Sequence, residues 1–169
     1  FRDSQFTADR RSASVKRIND VINLRGRQFR EDNGPLAHPV RPDSFVEINN
    51  FYTTTVYEKG AELIRMLKTL IGDTSYAKAV ALYFERHDGD AATIEDWLAV
   101  FEDSTGRDLT QFKIWYEQAG TPRLTVRDSF ENGQYMLHFK QHTPETPGQS
   151  KKDPRVIPIG VGLLDSSGK

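Results

Sequence analysis

Cysteine does not occur anywhere in the 169 residues of the chain. Its absence excludes a disulfide framework, and it excludes every metal site that depends on thiolate ligands. Proteins without disulfides are typical of reducing compartments, so we expect a cytoplasmic location. The length is sufficient for one domain, or for one domain and part of another.

Long apolar runs and a large excess of one charge are also missing. The longest apolar run, residues 156–164, contains Pro158, Gly160 and Gly162 and is far shorter than the ~18–20 residues that a membrane span needs. The 23 lysines and arginines nearly balance the 24 aspartates and glutamates, which leaves a net charge of −1. We therefore predict no membrane span in this chain and no nucleic-acid partner. We interpret its basic amino-terminal third as a solvated helix face or an interdomain surface.

The spacing of the histidines predicts no metal bound by this chain. A zinc site on one helix takes two histidines at positions i and i+4. Of the four histidines, only His138 and His142 have this separation, and they lie in an alternating, strand-like run that ends at Thr143 and Pro144. We therefore expect no zinc site built from the residues of this chain alone.

Apolar residues at three- and four-residue spacing predict a helical first part. One amphipathic helix is predicted over 14–29, and proline pairs in the loop over 30–50 prevent its continuation. The next helix is predicted from Thr54 to Ile71, with Gly72 at its end. Three more helices are predicted, one capped by Asp73 or Thr74, one capped by Thr93, and one opened by Asp108. The aromatic residues of these helices, Trp97, Trp115 and Tyr116, are interpreted as core.

The pattern changes at Pro122, after which apolar and polar residues alternate as in strands. The sequence Glu131-Asn132-Gly133 between two such runs is a hairpin signal. A third strand is predicted over 156–164, followed by a turn over 165–168. We expect an α+β protein with a helical domain over 1–121 and, over 122–169, the opening strands of an antiparallel β-sandwich.

The most informative segment is NNFYTTTVYEKGAELIRM, residues 49–66. Together with HPVRPDSFVEINNFY before it and LYFERHDGDAATIED and FKIWYEQAGTP after it, the segment resembles the zinc aminopeptidases of the alanyl (membrane) aminopeptidase N family. The resemblance implies the all-helical carboxyl-terminal part of a thermolysin-like catalytic domain, followed by the first strands of a β-sandwich domain. It also implies peptide substrates and a parent enzyme that contains Zn.

The zinc ligands of that family have no counterparts here. They are His-Glu-x-x-His on one helix and a later Glu, which stands just before a Phe-Arg-Asp, and this sequence opens at Phe1-Arg2-Asp3. We therefore expect the chain to be a piece of a larger enzyme, to bind no zinc and to be inactive alone. The remainder of the parent chain is expected to pack on it.

The resemblance implies roles for three residues. Tyr57, the first residue of Tyr-Glu-Lys-Gly, is the catalytic tyrosine, whose hydroxyl stabilises the tetrahedral intermediate. Tyr52 lines the pocket for the first side chain of the substrate. Asp3 is placed near the zinc-ligand helix, where an outer carboxylate orients groups of the metal site. Glu58 and Lys59 are interpreted as an acid favoured by the helix dipole and a solvated lysine.

Three other interpretations stay open at this stage. By periodicity alone, Tyr57 is the first aromatic of a core face that continues through Ile64, Leu67 and Ile71. The chain could also belong to a catalytically inactive helical scaffold or binding module. A third possibility is a bifunctional epoxide hydrolase/aminopeptidase, although those enzymes usually have proline ahead of the tyrosine, where this chain has Val56.

Overall fold

A computed structural model describes residues 1–164 and 167–168 of the chain. A helical first part ends at Glu117, and a β-hairpin begins at Arg123, which confirms the predicted α+β class. The elements in chain order are α1 (Arg2–Arg10), α2 (Ala13–Asn23), a π-helical segment (Leu24–Gln28), α3 (Phe29–Asp32), a 3-10 turn (Ile48–Phe51), a second π-helical segment (Thr55–Lys59), α4 (Gly60–Ile71), α5 (Asp73–His87), α6 (Ile94–Thr105), α7 (Thr110–Glu117), β1 (Arg123–Glu131) and β2 (Gln134–His142).

The hydrophobic core lies among α4, α5, α6 and α7. Fully buried apolar side chains include Leu67 of α4, Phe101 of α6 and Phe112 of α7. Burial of one such large side chain contributes about 1.5–3 kcal/mol. The predicted core role of the helix aromatics is confirmed, because the following residues belong to this cluster or pack against it: Trp97, Trp115 and Tyr116.

The helix ends follow the sequence signals except at the starts of α5 and α7, the latter beginning at Thr110 rather than at Asp108, whose carboxylate accepts from Thr110 N at 2.8 Å. Thr93 caps α6, since its Oγ1 accepts from Asp96 N at 3.2 Å and the Asp96 carboxylate accepts from Thr93 N at 2.8 Å. Gly72 ends α4 with a φ of 84°, as predicted. The predicted cap of α5 by Asp73 or Thr74 is wrong, because α5 begins at Asp73 directly after Gly72, and no side chain among the described residues caps it.

The amino-terminal helices differ from the sequence prediction. The apolar pattern does not predict α1 at all. The apolar face of α2 points outward, since Val15, Ile18 and Ile22 are exposed while Asp20 is buried. Asp20 faces α4, where its carboxylate lies 3.6 Å from the guanidinium of Arg65. Charged groups therefore hold α2 against α4, and its apolar residues are left on the outer face.

Asn132 and Gly133 form the two-residue turn of the predicted hairpin. Their φ angles are 52° and 77°, and positive values at both positions are typical of the type I′ turn that suits the twist of antiparallel strands. The register pairs Glu131 with Gln134 next to the turn and continues to the far ends of both strands. The hairpin prediction is confirmed.

The third strand predicted over 156–164 is wrong, because within the described part of the chain this segment pairs with neither β1 nor β2. Its first residues are bound to α7 instead, through a hydrogen bond of 2.7 Å from Trp115 Nε1 to the carbonyl oxygen of Val156. That contact holds this end of the segment on the helical part. The turn predicted over 165–168 includes Asp165 and Ser166, which lie outside the described residues.

The connection between α7 and β1, residues 118–122, is held by a buried arginine from the loop after β2. Arg155 is only 2% exposed and donates to three successive carbonyl oxygens, those of residues 118–120, at 2.7–3.0 Å. Its Cζ also lies 4.8 Å from the ring centre of Trp115, a cation–π geometry. Arg155 therefore ties the start of the hairpin to the end of the helical part.

A side chain at Gly120 in this connection would be strained and crowded. The φ of Gly120 is 88°, and an added Cβ would lie 3.1 Å from the Cγ2 atoms of both Thr143 and Thr146. Gly89 is a matched control, because its φ of 85° is similar but no atom lies within 4 Å of an added Cβ. We expect Gly120→Ala to lower the free energy of unfolding by about 1–3 kcal/mol more than Gly89→Ala does, through crowding. Equal losses in urea denaturation would show that only backbone strain matters.

None of the helices formed by residues 1–164 and 167–168 combines the length and the hydropathy of a membrane-spanning helix.

Candidate active site

Tyr57 lies on the π-helical segment Thr55–Lys59, which continues directly into α4. The backbone N–H of Tyr57 donates to the carbonyl oxygen of Thr53 at 3.1 Å, and the N–H of Val56 donates to the Thr53 hydroxyl at 3.1 Å. Single π-helical turns of this kind occur frequently at functional sites. We call residues 53–59 the tyrosine turn.

The side chain of Tyr57 points away from the core. It is 59% exposed, and its hydroxyl makes no hydrogen bond to any residue that the structure describes. The alternative of a buried core aromatic is therefore wrong. The buried face of this helix is formed by Thr55, Lys59, Leu63 and Leu67, each four residues after the last.

Tyr52 lies beside Tyr57. The two ring centres are 6.3 Å apart with an angle of 32° between the ring planes, and Tyr52 is 57% exposed. Phe51 extends this group, with its ring centre 6.0 Å from that of Tyr52. The structure thus brings together two of the three site residues that the sequence predicts, as one exposed aromatic surface.

Asp3 is not part of this surface in the described structure. It is exposed in the first turn of α1, and its backbone carbonyl accepts from the Thr7 hydroxyl at 2.9 Å. No bond of the Asp3 carboxylate to another side chain is found within the described residues. Its predicted role near a metal site stays a prediction.

An open cleft of about 840 Å³ lies next to Tyr57. Its lining is mostly apolar and includes Phe51, Val56, Ile64 and Trp97. The tyrosine ring therefore stands at the edge of a cleft large enough for a small organic group, and its hydroxyl faces solvent rather than a protein acceptor.

A charged cluster forms part of the cleft wall. Arg41 pairs with Glu95 and, at 3.3 Å, with Glu117, while Lys113 lies 3.2 Å from Glu95. The pKa of Glu95 is lowered to about 2. The largest cause is a hydrogen bond from the backbone N–H of Glu95 itself, and the bonds from Arg41 and Lys113 come next. Two cations and two anions offset each other here, so this wall presents no net charge to the cleft.

The reverse side of the tyrosine turn is anchored by residues 28–32, which comprise α3 and the residue before it. The backbone N–H of Thr55, which is fully buried, donates to a carboxylate oxygen of Glu31 at 2.7 Å. The Thr55 hydroxyl accepts from the side-chain amide of Gln28 at 3.4 Å. At the end of the turn, Lys59 Nζ lies 2.8 Å from the Asp32 carboxylate. Three contacts therefore fix the backbone that carries Tyr57.

The interpretation of Lys59 as a solvated residue is wrong, because Lys59 is 5% exposed and forms a buried ion pair with Asp32. The Asp32 carboxylate also accepts from Gly120 N at 2.7 Å and from the Thr121 hydroxyl at 3.0 Å. The helical spacing could have indicated this burial, because Lys59 stands four residues before the buried Leu63 and so lies on the same helix face. The tyrosine turn and the start of the hairpin share one buried carboxylate.

Burial and pairing set the protonation of these two groups. Burial raises the pKa of Asp32, but Lys59 and the bonds from Gly120 and Thr121 outweigh burial, so this pKa lies below its ordinary value. Burial lowers the pKa of Lys59 to about 8 in spite of the attraction of Asp32. The pair is therefore an ionised pair at neutral pH, with the lysine close to losing its proton in mildly alkaline solution.

The shift of Lys59 predicts how stability changes with pH. Between about pH 8 and its ordinary pKa of 10.5, Lys59 binds more protons in the unfolded chain than in the folded chain. Stability contributed by this residue therefore rises with pH across that window. We expect the free energy of unfolding of the wild type, relative to Lys59→Met, to increase from pH 8 to 10.5 in urea titrations. A difference that falls over this range would contradict the prediction.

The described residues do not fit a zinc ion. In residues 1–164 and 167–168, no three histidine, aspartate or glutamate side chains form a group that could hold a metal. His38, the histidine nearest in sequence to Tyr57, is bonded to Thr53 through Nε2 at 2.8 Å. The described side chains around Tyr57 therefore offer no ligand set for a metal.

Comparison with known proteins identifies the family. Residues 3–116 match the Peptidase family M1 domain, and residues 120–169 match the Domain of unknown function (DUF3458) Ig-like fold. The chain belongs to peptidase family M1.

Bacterial aminopeptidases are similar to most or all of the chain. It is 52% identical to Aminopeptidase N of Escherichia coli (strain K12), over 100% of this chain and 20% of that protein, and 47% identical to Aminopeptidase N of Haemophilus influenzae, over 99% and 20%. Legionella pneumophila aminopeptidase A, solved in complex with aspartic acid, superposes with a TM-score of 0.67 at 36% identity, over 77% of this chain and 15% of that one. The chain spans about a fifth of the length of the curated relatives.

Proposed function

We propose that this chain is part of a zinc aminopeptidase that releases amino-terminal residues from peptides. In this proposal Tyr57 donates a hydrogen bond to the oxygen that gains charge as the peptide carbonyl becomes tetrahedral. The observation that carries it is the hydroxyl of Tyr57, which is exposed at a cleft and free of hydrogen bonds to the described residues, on a turn that Glu31 and Asp32 anchor from its reverse side. Membership of peptidase family M1 supports the peptide as the substrate class.

The chemistry that we assign to Tyr57 follows from its position. A donor stabilises a transition state most when it is held in place before the reaction, so that no reorganisation is needed as charge develops. The contacts of Thr55 and Lys59 supply that rigidity. The amino end of a helix also adds a positive partial charge near the developing anion. Tyr52 supplies an aromatic wall for the side chain of the first residue.

In this proposal, zinc is bound by the whole protein and not by this chain alone. In such an enzyme the ion activates water and polarises the carbonyl group. The side chains of this chain do not form a group that fits it within the described residues, so we assign the ligands to the rest of the protein. The chain alone is then inactive.

Other features of the proposal concern how the chain fits into the whole protein. We propose that the remainder of the parent chain covers the outward apolar face of α2, formed by Val15, Ile18 and Ile22.

We place the domain boundary between residues 121 and 122. The end of α7 at Glu117 and the start of β1 at Arg123 support this position. A cytoplasmic location rests on the absence of cysteine and is tested by cell fractionation.

The test compares alanine p-nitroanilide with its N-acetylated form as substrates of the whole protein. We expect turnover of the free-amine substrate only, and loss of turnover on chelation that zinc restores. The isolated chain should show neither activity nor bound zinc after dialysis. Equal hydrolysis of both substrates would contradict an aminopeptidase, and absence of turnover by the zinc-loaded whole protein would favour the inactive scaffold. Hydrolysis of an epoxide substrate by the same preparation would favour the bifunctional relative.

A further inference from the structure

Thr53 lies between Tyr52 and Tyr57 in the chain and binds the backbone at the start of the tyrosine turn. Its backbone carbonyl accepts from the N–H of Tyr57, and its hydroxyl accepts from the N–H of Val56, so it binds two successive donors of the tyrosine turn. The N–H of Thr55, at the same helix beginning, donates to the Glu31 carboxylate at 2.7 Å, and the Thr54 side chain makes no capping bond among the described residues. Thr53 therefore fixes the backbone N–H groups of Val56 and Tyr57 itself, while Glu31 fixes that of Thr55.

His38 holds Thr53 from outside the helix. Its Nε2 lies 2.8 Å from the Thr53 hydroxyl, although the two residues are fifteen positions apart in the chain. The other ring nitrogen of His38, Nδ1, is buried without a hydrogen-bond partner in the described part of the chain. The Thr53 hydroxyl is thus the one polar partner found there for the imidazole.

We propose that Thr53, fixed by His38, is a positioning residue that sets the place of the Tyr57 hydroxyl for catalysis. The proposal rests on the proposed role of Tyr57 as hydrogen-bond donor. The Tyr57 side chain is exposed, with a ring contact to Tyr52 but no hydrogen bond to the described residues, so its location depends on the backbone beneath it. Thr55 and Lys59 fix that backbone through their bonds to Glu31 and Asp32. Thr53 fixes the start of the turn through its bond to His38.

Paired substitutions in the whole protein separate the hydroxyl from the rest of the side chain. Thr53→Val keeps the shape of threonine but removes the bonds to Val56 and His38, whereas Thr53→Ser keeps both. Misplacing a catalytic group by about 1 Å costs up to 10²-fold in rate, so we expect Thr53→Val to lower kcat on alanine p-nitroanilide by about 10- to 100-fold. KM should change little, and Thr53→Ser should keep most of kcat.

His38 offers an independent pair of variants. His38→Gln places an amide nitrogen near the position of Nε2 and should keep most of kcat, whereas His38→Leu should lower kcat in the same direction as Thr53→Val. Thr54→Val is the control, because no hydrogen bond of the Thr54 side chain is found within the described residues. Circular dichroism and melting temperature establish that each variant is folded.

The decisive measurement combines Thr53→Val with Tyr57→Phe. If Thr53 acts through the Tyr57 hydroxyl, its substitution should change kcat by less than about twofold once that hydroxyl is gone. An undiminished loss in the Tyr57→Phe background, or a Thr53→Val enzyme with wild-type kcat, would overturn the inference while leaving the role of Tyr57 intact. Wild-type kcat in Tyr57→Phe itself would instead overturn the proposed function.

Discussion

Tyr57→Phe in the whole protein is expected to lower kcat by about 10²–10³-fold, equivalent to about 3–4 kcal/mol of transition-state stabilisation. The substitution removes one hydroxyl and leaves the ring, so the contact with the ring of Tyr52 survives. It breaks no hydrogen bond within the described structure, because the hydroxyl has no partner there. The folded state should therefore be nearly unchanged, and the loss should appear in the chemical step.

Steady-state kinetics on an alanine amide distinguish this role from others. A bond that forms only in the transition state lowers kcat and kcat/KM together, with KM nearly constant. Tyr52→Phe should cause a smaller loss, since a pocket wall uses the ring. Tyr135→Phe is a control away from the cleft, because it removes the hydroxyl of another exposed tyrosine, in β2, whose own bond goes to Asp128 at 3.0 Å. Retention of more than about a third of kcat by Tyr57→Phe, under ~1 kcal/mol of barrier, would contradict the catalytic role.

Local chemistry explains which parts of the fold the sequence predicts. Asn132 and Gly133 adopt the positive φ values that their turn needs, and Thr93 with Asp96 forms a reciprocal cap. In each case the residues that decide the structure are close neighbours in the chain. The amino end of the helix at Tyr57 is predicted for the same reason.

Long-range contacts explain what the sequence does not predict. Lys59 is buried because Asp32, 27 positions earlier, neutralises it and because Gly120, 61 positions later, offers a carbonyl oxygen at 3.5 Å. Arg155 likewise binds carbonyl oxygens 35–37 positions before it. A lysine and an arginine are most often exposed, so neither residue type signals burial unless its partners are known.

The outward face of α2 illustrates a further limit. Its pattern indicates an amphipathic helix, and the helix forms, but periodicity does not say which neighbouring surface covers the apolar side. Ion pairs from Asp20 and Arg17 to α4 decide its orientation within the described residues. The spacing of the apolar residues therefore predicts that α2 is a helix, whereas the charged residues of α4 determine which side of α2 is buried.

Asp32→Asn is expected to lower the free energy of unfolding by about 3–5 kcal/mol, because it leaves the Lys59 ammonium buried without its counter-charge. The asparagine keeps an oxygen that can accept from Gly120, but its amide nitrogen replaces the oxygen that accepts from Lys59 and Thr121, so the charge and that acceptor are lost together. Asp103→Asn is the matched control: Asp103 pairs with Arg86 at 2.5 Å, but both side chains are about half exposed, and such a pair contributes about 0–1 kcal/mol. Urea denaturation of the two variants measures the difference.

Removing the stranded cation should then restore stability. The double variant Asp32→Asn with Lys59→Met replaces the unpaired ammonium by an apolar side chain of similar length, and we expect it to be more stable than Asp32→Asn alone. Lys59 belongs to the tyrosine turn, so the same order should appear in the protection of that turn against amide hydrogen exchange. If the double variant is less stable than the single one, the pair does not act through charge. The packing of the Lys59 stem and the acceptor geometry at Gly120 would then be what anchors the turn.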